Sequence, residues 1–113
     1  MGLNTQLRTA TVGSSAYYVM AGSTTPAYST TPCVMQFFVD ITAVAAGDEF
    51  KAKLHKKIDG TNVVVVYEAN FVPMTNKGWS SPMFIVDASG WDWSCEKVGG
   101  TDRSLDMRVE YVT

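Results

Sequence analysis

The stretch Phe50-Lys51-Ala52-Lys53-Leu54-His55-Lys56-Lys57-Ile58, then Asp59-Gly60-Thr61-Asn62, then Val63-Val64-Val65-Val66-Tyr67-Glu68-Ala69-Asn70-Phe71, decides the fold class of this chain. Phe50, Ala52, Leu54 and Ile58 alternate with Lys51, Lys53, His55 and Lys57, the period of two expected of a strand with one wet face. Asp59 to Asn62 carries turn chemistry, and the run after it is β-branched and apolar. Pairing Ile58 with Val63 sets Leu54 opposite Tyr67, Ala52 opposite Ala69 and Phe50 opposite Phe71 inside, with Lys53 opposite Glu68 outside. A one-residue slip would turn every side chain to the wrong face, so a register that suits both faces is well specified. Lys56 breaks the alternation, which marks a bulge or a lysine stem lying along apolar surface.

Outward from this hairpin, the whole composition leans the same way. The chain has 113 residues, the size of one domain, and a single domain over 1–113 is expected. It carries 14 Val against 4 Leu, and Val, Ile, Thr, Tyr, Phe and Trp together suit a pleated, half-buried surface rather than a helix bundle. Nine basic and eleven acidic residues, net charge −2, leave no electrostatic footprint for nucleic acid or an anionic membrane. The start Met1-Gly2-Leu3-Asn4-Thr5-Gln6 has neither a basic nor an apolar export region, so a soluble chain made without a signal peptide is expected. Cys33 and Cys95 lack Cys-x-x-Cys spacing and read as reduced, buried thiols.

A second hairpin is predicted near the C-terminus. Trp91, Trp93 and Cys95 alternate with Asp92, Ser94 and Glu96; Leu105, Met107, Val109 and Tyr111 alternate with Asp106, Arg108 and Glu110; Gly99-Gly100-Thr101-Asp102 lies between. The preferred register sets Glu96 across from Arg108 and Trp93 near Tyr111. Further strands are expected over 6–12, 16–20, 34–42 and 82–86, about eight in all. From Thr9 to Val39 there is no charge, and 21–32, with Thr25-Pro26 and Thr31-Pro32, reads as a long Ser/Thr/Pro-rich arm or loop. Many short antiparallel strands predict an all-β antiparallel β-sandwich, jelly-roll-like or another Greek key, with a small closed barrel as the alternative.

Catalytic chemistry is thin in the sequence. His55 is the only histidine, lies among lysines on a predicted wet face, and has no assignable nucleophile or orienting carboxylate. One His and two distant Cys supply no ordinary zinc set, and Asp87, Asp92 and Asp102 form no calcium loop; no metal and no cofactor is expected. Glu96 and Glu110 read as solubilising residues on one hairpin's outer face, and Gly99-Gly100 as its turn. Lys51, Lys53, His55 and Lys57 read as a solvated face that discourages edge aggregation. Trp91 and Trp93 read as core. The aromatic side chains left for a binding surface are Tyr17, Tyr18 and Tyr28, near Pro26 and Pro32 of the arm, and Trp79 in the loop Asn76 to Ser81.

The C-terminal stretch Gly78 to Thr113 carries a resemblance. Gly90-Trp91-Asp92-Trp93-Ser94, then Gly99-Gly100-Thr101-Asp102-Arg103-Ser104, then Met107-Arg108-Val109-Glu110-Tyr111 resembles the endings of small β-rich virion accessory proteins of tailed bacteriophages. The resemblance implies a non-enzymatic capsid decoration, cement or head-fibre protein on the virion surface. Its partner would be the major capsid protein, and its assembly state a homo-oligomer, by preference a trimer. On this reading the uncharged arm lies along the partner as an added strand, with Tyr17, Tyr18, Pro26, Tyr28, Pro32 and Trp79 as the contact set. A carbohydrate- or receptor-binding module using Trp79 and the loop tyrosines is the alternative, with a glycan as partner.

Overall fold

A computed structural model describes residues 2–113. In chain order the strands are β1 (Leu3–Val12), β2 (Tyr17–Tyr18), β3 (Cys33–Asp40), β4 (Glu49–Lys57), β5 (Val63–Phe71), β6 (Gly78–Ser80), β7 (Phe84–Val86), β8 (Trp91–Gly99) and β9 (Arg103–Val112), with no helix among the described residues. They form two antiparallel sheets in a β-sandwich. The first runs β1-β9-β3, with β6 and β7 in series along the far side of β3; the second runs β2-β8-β4-β5.

Period-two alternation builds the core between the sheets. From the first sheet come Met35, Phe37 and Val39 of β3 and Leu105, Met107 and Val109 of β9. From the second come Phe50, Ala52 and Leu54 of β4 and Trp91, Trp93 and Cys95 of β8, all buried. Trp93 stacks on Phe37 with ring centroids 5.0 Å apart, and Trp91 meets Tyr111 edge to face. Both indoles find acceptors, Trp91 Nε1 donating to the Thr31 carbonyl at 2.9 Å and Trp93 Nε1 to Met35 Sδ at 3.0 Å. Full burial of each large apolar side chain is worth about 1.5–3 kcal/mol, and the satisfied N–H groups keep that gain intact. Cys33 and Cys95 are buried and free.

The β4–β5 register is the one read from sequence over Phe50↔Phe71, Ala52↔Ala69, Lys53↔Glu68 and Leu54↔Tyr67. It then shifts, because Val66 is an extra residue and His55 pairs with Val65. This bulge resolves the misfit at Lys56, moves Val63 opposite Lys57, and leaves Ile58 outside the strand and exposed. The lysine-bearing strand is not an edge, since β4 lies between β5 and β8. Its ion pairs run diagonally, Lys51 to Glu68 at 3.0 Å and Lys53 to Glu96 at 2.8 Å.

The second hairpin does not form. β8 belongs to the second sheet and β9 to the first, so Gly99-Gly100 carries the chain across the sandwich rather than around a turn. Tyr111 therefore meets Trp91 across the core instead of standing beside Trp93 in one sheet, and Glu96 and Arg108 belong to different sheets. Asp48 fixes the crossing. Its carboxylate accepts from the Ala45 and Thr101 amides, both at 2.9 Å, and from Arg103 Nε at 2.7 Å. Those hydrogen bonds, the Thr101 amide first, hold its pKa down at about 2. Gly100 has φ +91°, and a Cβ there would fall 2.2 Å from Asp48 Oδ1, so only glycine suits the position.

The long loop expected before Cys33 is present and fastened to the body. The Met20 and Ala21 amides donate to the Asp92 carboxylate at 2.8 and 3.0 Å. Arg8 of β1 donates to the Val19 and Met20 carbonyls, and Ser29 exchanges two backbone hydrogen bonds with Trp91. Asp92 is fully buried, although the alternation with Trp91 and Trp93 puts it on the outer face of its strand. Burial raises its pKa to about 6, against the lowering effect of the two amides.

Candidate functional site

The two sheets present opposite outer faces. On the second sheet, His55 is buried rather than solvent-facing: its Nε2 lies 2.7 Å from Ser94 Oγ, and the Tyr18 ring covers it at 5.2 Å. Burial, followed by the charge of Lys53, lowers the histidine pKa. Ser94 is fully buried, so this Ser–His pair is closed to substrate. Tyr18 also meets Tyr28 edge to face, and Lys57 Nζ lies 5.5 Å from the Tyr28 ring centroid. Asp87 and Asp102 pair with Lys56 and Lys97.

The outer face of the first sheet is open, and its strand registers arrange it in rows. At one end Leu3, Val112, Val34 and Ile85 stand side by side across β1, β9, β3 and β7. Ile85 is 83% exposed, Leu3 68% and Val34 38%, and the neighbouring Met83 is 69% exposed. A hollow of about 120 Å³ lies among Leu3, Val34, Met83 and Val112. Further along come Thr5, Glu110 and Gln36, then Leu7, Arg108, Phe38 and Ser80, and finally Thr9, Asp106, Asp40 and Gly78.

Apart from Thr9, the last two rows line a groove of about 820 Å³ together with Thr42, Lys77, Trp79 and Glu110. Asp40 and Asp106 are direct cross-strand partners. Each is held by a threonine: Thr42 donates from Oγ1 (2.6 Å) and N (2.9 Å) to Asp40 Oδ1, and Thr9 Oγ1 donates to Asp106 Oδ1 at 2.5 Å. The Thr42 hydrogen bonds lower the Asp40 pKa, so it is ionised at neutral pH. Neither carboxylate forms an ion pair among the described residues.

The contact set read from sequence is dispersed. Tyr17, Tyr18 and Tyr28 are half-buried beside the second sheet, and Pro26 and Pro32 are exposed in the loop. Trp79 is half-buried, stacked on Phe71 at 5.4 Å and edge-on to Phe37, with one side lining the groove of the first sheet. Glu110 reaches Arg108 at 3.3 Å and Glu96 pairs with Lys53, so the two glutamates serve different sheets. The apolar row was missed because its members come from four strands. Its one local signal is Val112, an apolar residue in the outward phase of a strand whose other outward positions are Ser104, Asp106, Arg108 and Glu110.

No protein-family model and no curated protein matches the sequence. Among solved structures, the fold is similar to the crystal structure of the Yersinia pseudotuberculosis-derived mitogen. The TM-score is 0.59 at 11% identity, over 97% of this chain and 86% of that one. It is also similar to Bacillus endospore appendages, described as a family of disulfide-linked pili, with TM-score 0.52 at 10% identity over 98% and 87% of the two chains. At such identities the likeness establishes the β-rich fold and nothing further.

Proposed function

We propose that this chain is a non-enzymatic assembly protein that decorates a protein shell, the capsid surface of a tailed bacteriophage. The observation that carries the reading is the exposed apolar row Leu3–Val112–Val34–Ile85 with Met83 beside it. An exposed contiguous apolar patch is costly to leave wet, and on small proteins it marks a protein contact. Three of the five residues, Met83, Ile85 and Val112, lie in the stretch from Gly78 to Thr113 that resembles virion accessory proteins. Val63 to Val66 on the edge strand β5, each 37–47% exposed, offer a second contact line along which copies can associate. The Ser–His pair is sealed under Tyr18, which favours a scaffold over a hydrolase.

Particles purified from producing cells test the reading. The chain is expected to co-purify at a fixed ratio to the major capsid protein, and an Ile85→Asp, Leu3→Ser double variant is expected to remain free in the lysate while folding normally. A chain absent from purified particles, or a double variant still at full occupancy, overturns the proposal.

A further inference from the structure

We infer that the groove on the first sheet binds a neutral hexopyranoside, a function separate from the shell contact made at the other end of the same face. Asp40 and Asp106 stand directly opposite each other, an arrangement of like charges that destabilises a sheet. No cation relieves it: Arg108 reaches only Glu110, and Lys77, on the groove wall, forms no ion pair among the described residues. Each carboxylate uses Oδ1 on a threonine and leaves Oδ2 without a partner among the described residues. The groove thus presents two fixed acceptors, Lys77 and the Arg108–Glu110 pair around half-buried Phe38 and exposed Leu7.

That combination selects among ligands. An anion meets Asp40, Asp106 and Glu110, and a cation meets Lys77 and Arg108, so the groove offers both signs side by side and a neutral polyhydroxyl ligand can use donors and acceptors together. A pyranoside satisfies all the groups: its hydroxyls donate to the free carboxylate oxygens and accept from Arg108 and Lys77, while its C–H face lies on Phe38. Space is also provided. Gly78 closes the row beyond Asp40, and a Cβ built there meets nothing within 4 Å, so the wall opens where a side chain would otherwise reach over the carboxylates.

The test is a titration of the full ¹⁵N-labelled chain with methyl β-D-glucopyranoside, methyl β-D-galactopyranoside and methyl α-D-mannopyranoside, followed by amide shifts. At least one glycoside is expected to saturate with a Kd of about 1 mM, as suits a shallow site, with shifts confined to residues 38–42, 77–80 and 106–110. Asp106→Asn is expected to weaken binding at least about tenfold, equivalent to losing ~1.4 kcal/mol, while Tm is unchanged or raised because the like-charge pair is gone. Gly78→Gln, which puts a side chain into the groove beside Asp40, is expected to abolish binding with the fold retained. No saturable shifts with any glycoside, shifts centred on Tyr18 and Tyr28 instead, a response to calcium chloride in place of sugar, or binding unaffected in both variants overturns the assignment. Shell attachment is read on particles and this site on the isolated chain, so either can fail alone.

Discussion

The outer face of the second sheet and the outer face of the first use similar residues to opposite ends. On the second, the groups able to do chemistry are held inside the protein: His55 with Ser94, Asp92 with two amides of the loop, and Lys51 and Lys53 with glutamates two residues along. On the first, an apolar row faces water and two aspartates confront each other with free oxygens. A reactive side chain with its hydrogen bonds satisfied inside the protein is part of the architecture. Uncompensated apolar surface and unrelieved charge are the marks of contact with something else.

The largest expected effect concerns the sealed face and pH. Folding raises the Asp92 pKa from 3.8 to about 6, so the folded chain binds this proton more tightly than the unfolded chain. The stability contribution is therefore complete below about pH 3.8 and is lost as pH rises through 6, by about 3 kcal/mol. Asp48 works in the opposite sense. Its pKa is lowered to about 2, and its contribution is present above 3.8 and lost as pH falls from there toward 2. Tm measured from pH 7 downward should rise to a maximum near pH 4 and then fall, and Asp92→Asn should flatten the rise. A pH profile of Tm that is the same in Asp92→Asn as in the wild type would show that Asp92 is not the sealed group described.

Next in size, Ser94→Ala leaves buried His55 Nε2 without its partner and should cost about 2 kcal/mol, or roughly 8 °C in Tm for a chain of this length. Tyr18→Ala should cost somewhat less, since the ring is only half-buried, and should move the His55 pKa back toward 6.5 as water enters; an NMR titration of the ring protons reads this directly. The smallest stability effect belongs to the open face. Ile85→Ser should change unfolding free energy by no more than about 0.5 kcal/mol, because 83% of the residue is already in water. Chemical denaturation of that variant sharpens the comparison: a loss as large as that of Ser94→Ala would mean that the apolar row stabilises the monomer rather than awaiting a partner.

Much of the sandwich was legible from local periodicity. The inner faces of β3, β4, β8 and β9 follow from alternation alone, as does the β4–β5 register up to the bulge, because a short turn leaves the two strands one way to bury both apolar sets. The β8–β9 hairpin misled for the same reason. Trp91, Trp93 and Cys95 alternate identically whether their partners lie beside them in one sheet or across from them in another, and a glycine pair serves a turn or a crossing. What decided between them was Asp48, some fifty residues away, holding Thr101 and Arg103 against the β3–β4 connection.

The candidate sites were least legible. Leu3, Val34, Ile85 and Val112 are ordinary strand residues one at a time, and Asp40 and Asp106 are unremarkable apart. By itself the sequence determined the β-rich composition, the inward faces and one hairpin, since those depend on neighbours two residues away or across a short turn. Only the tertiary structure decided which strands share a sheet, that His55 is closed under Tyr18, and that one outer face remains open, since those depend on contacts between segments with no spacing rule to connect them.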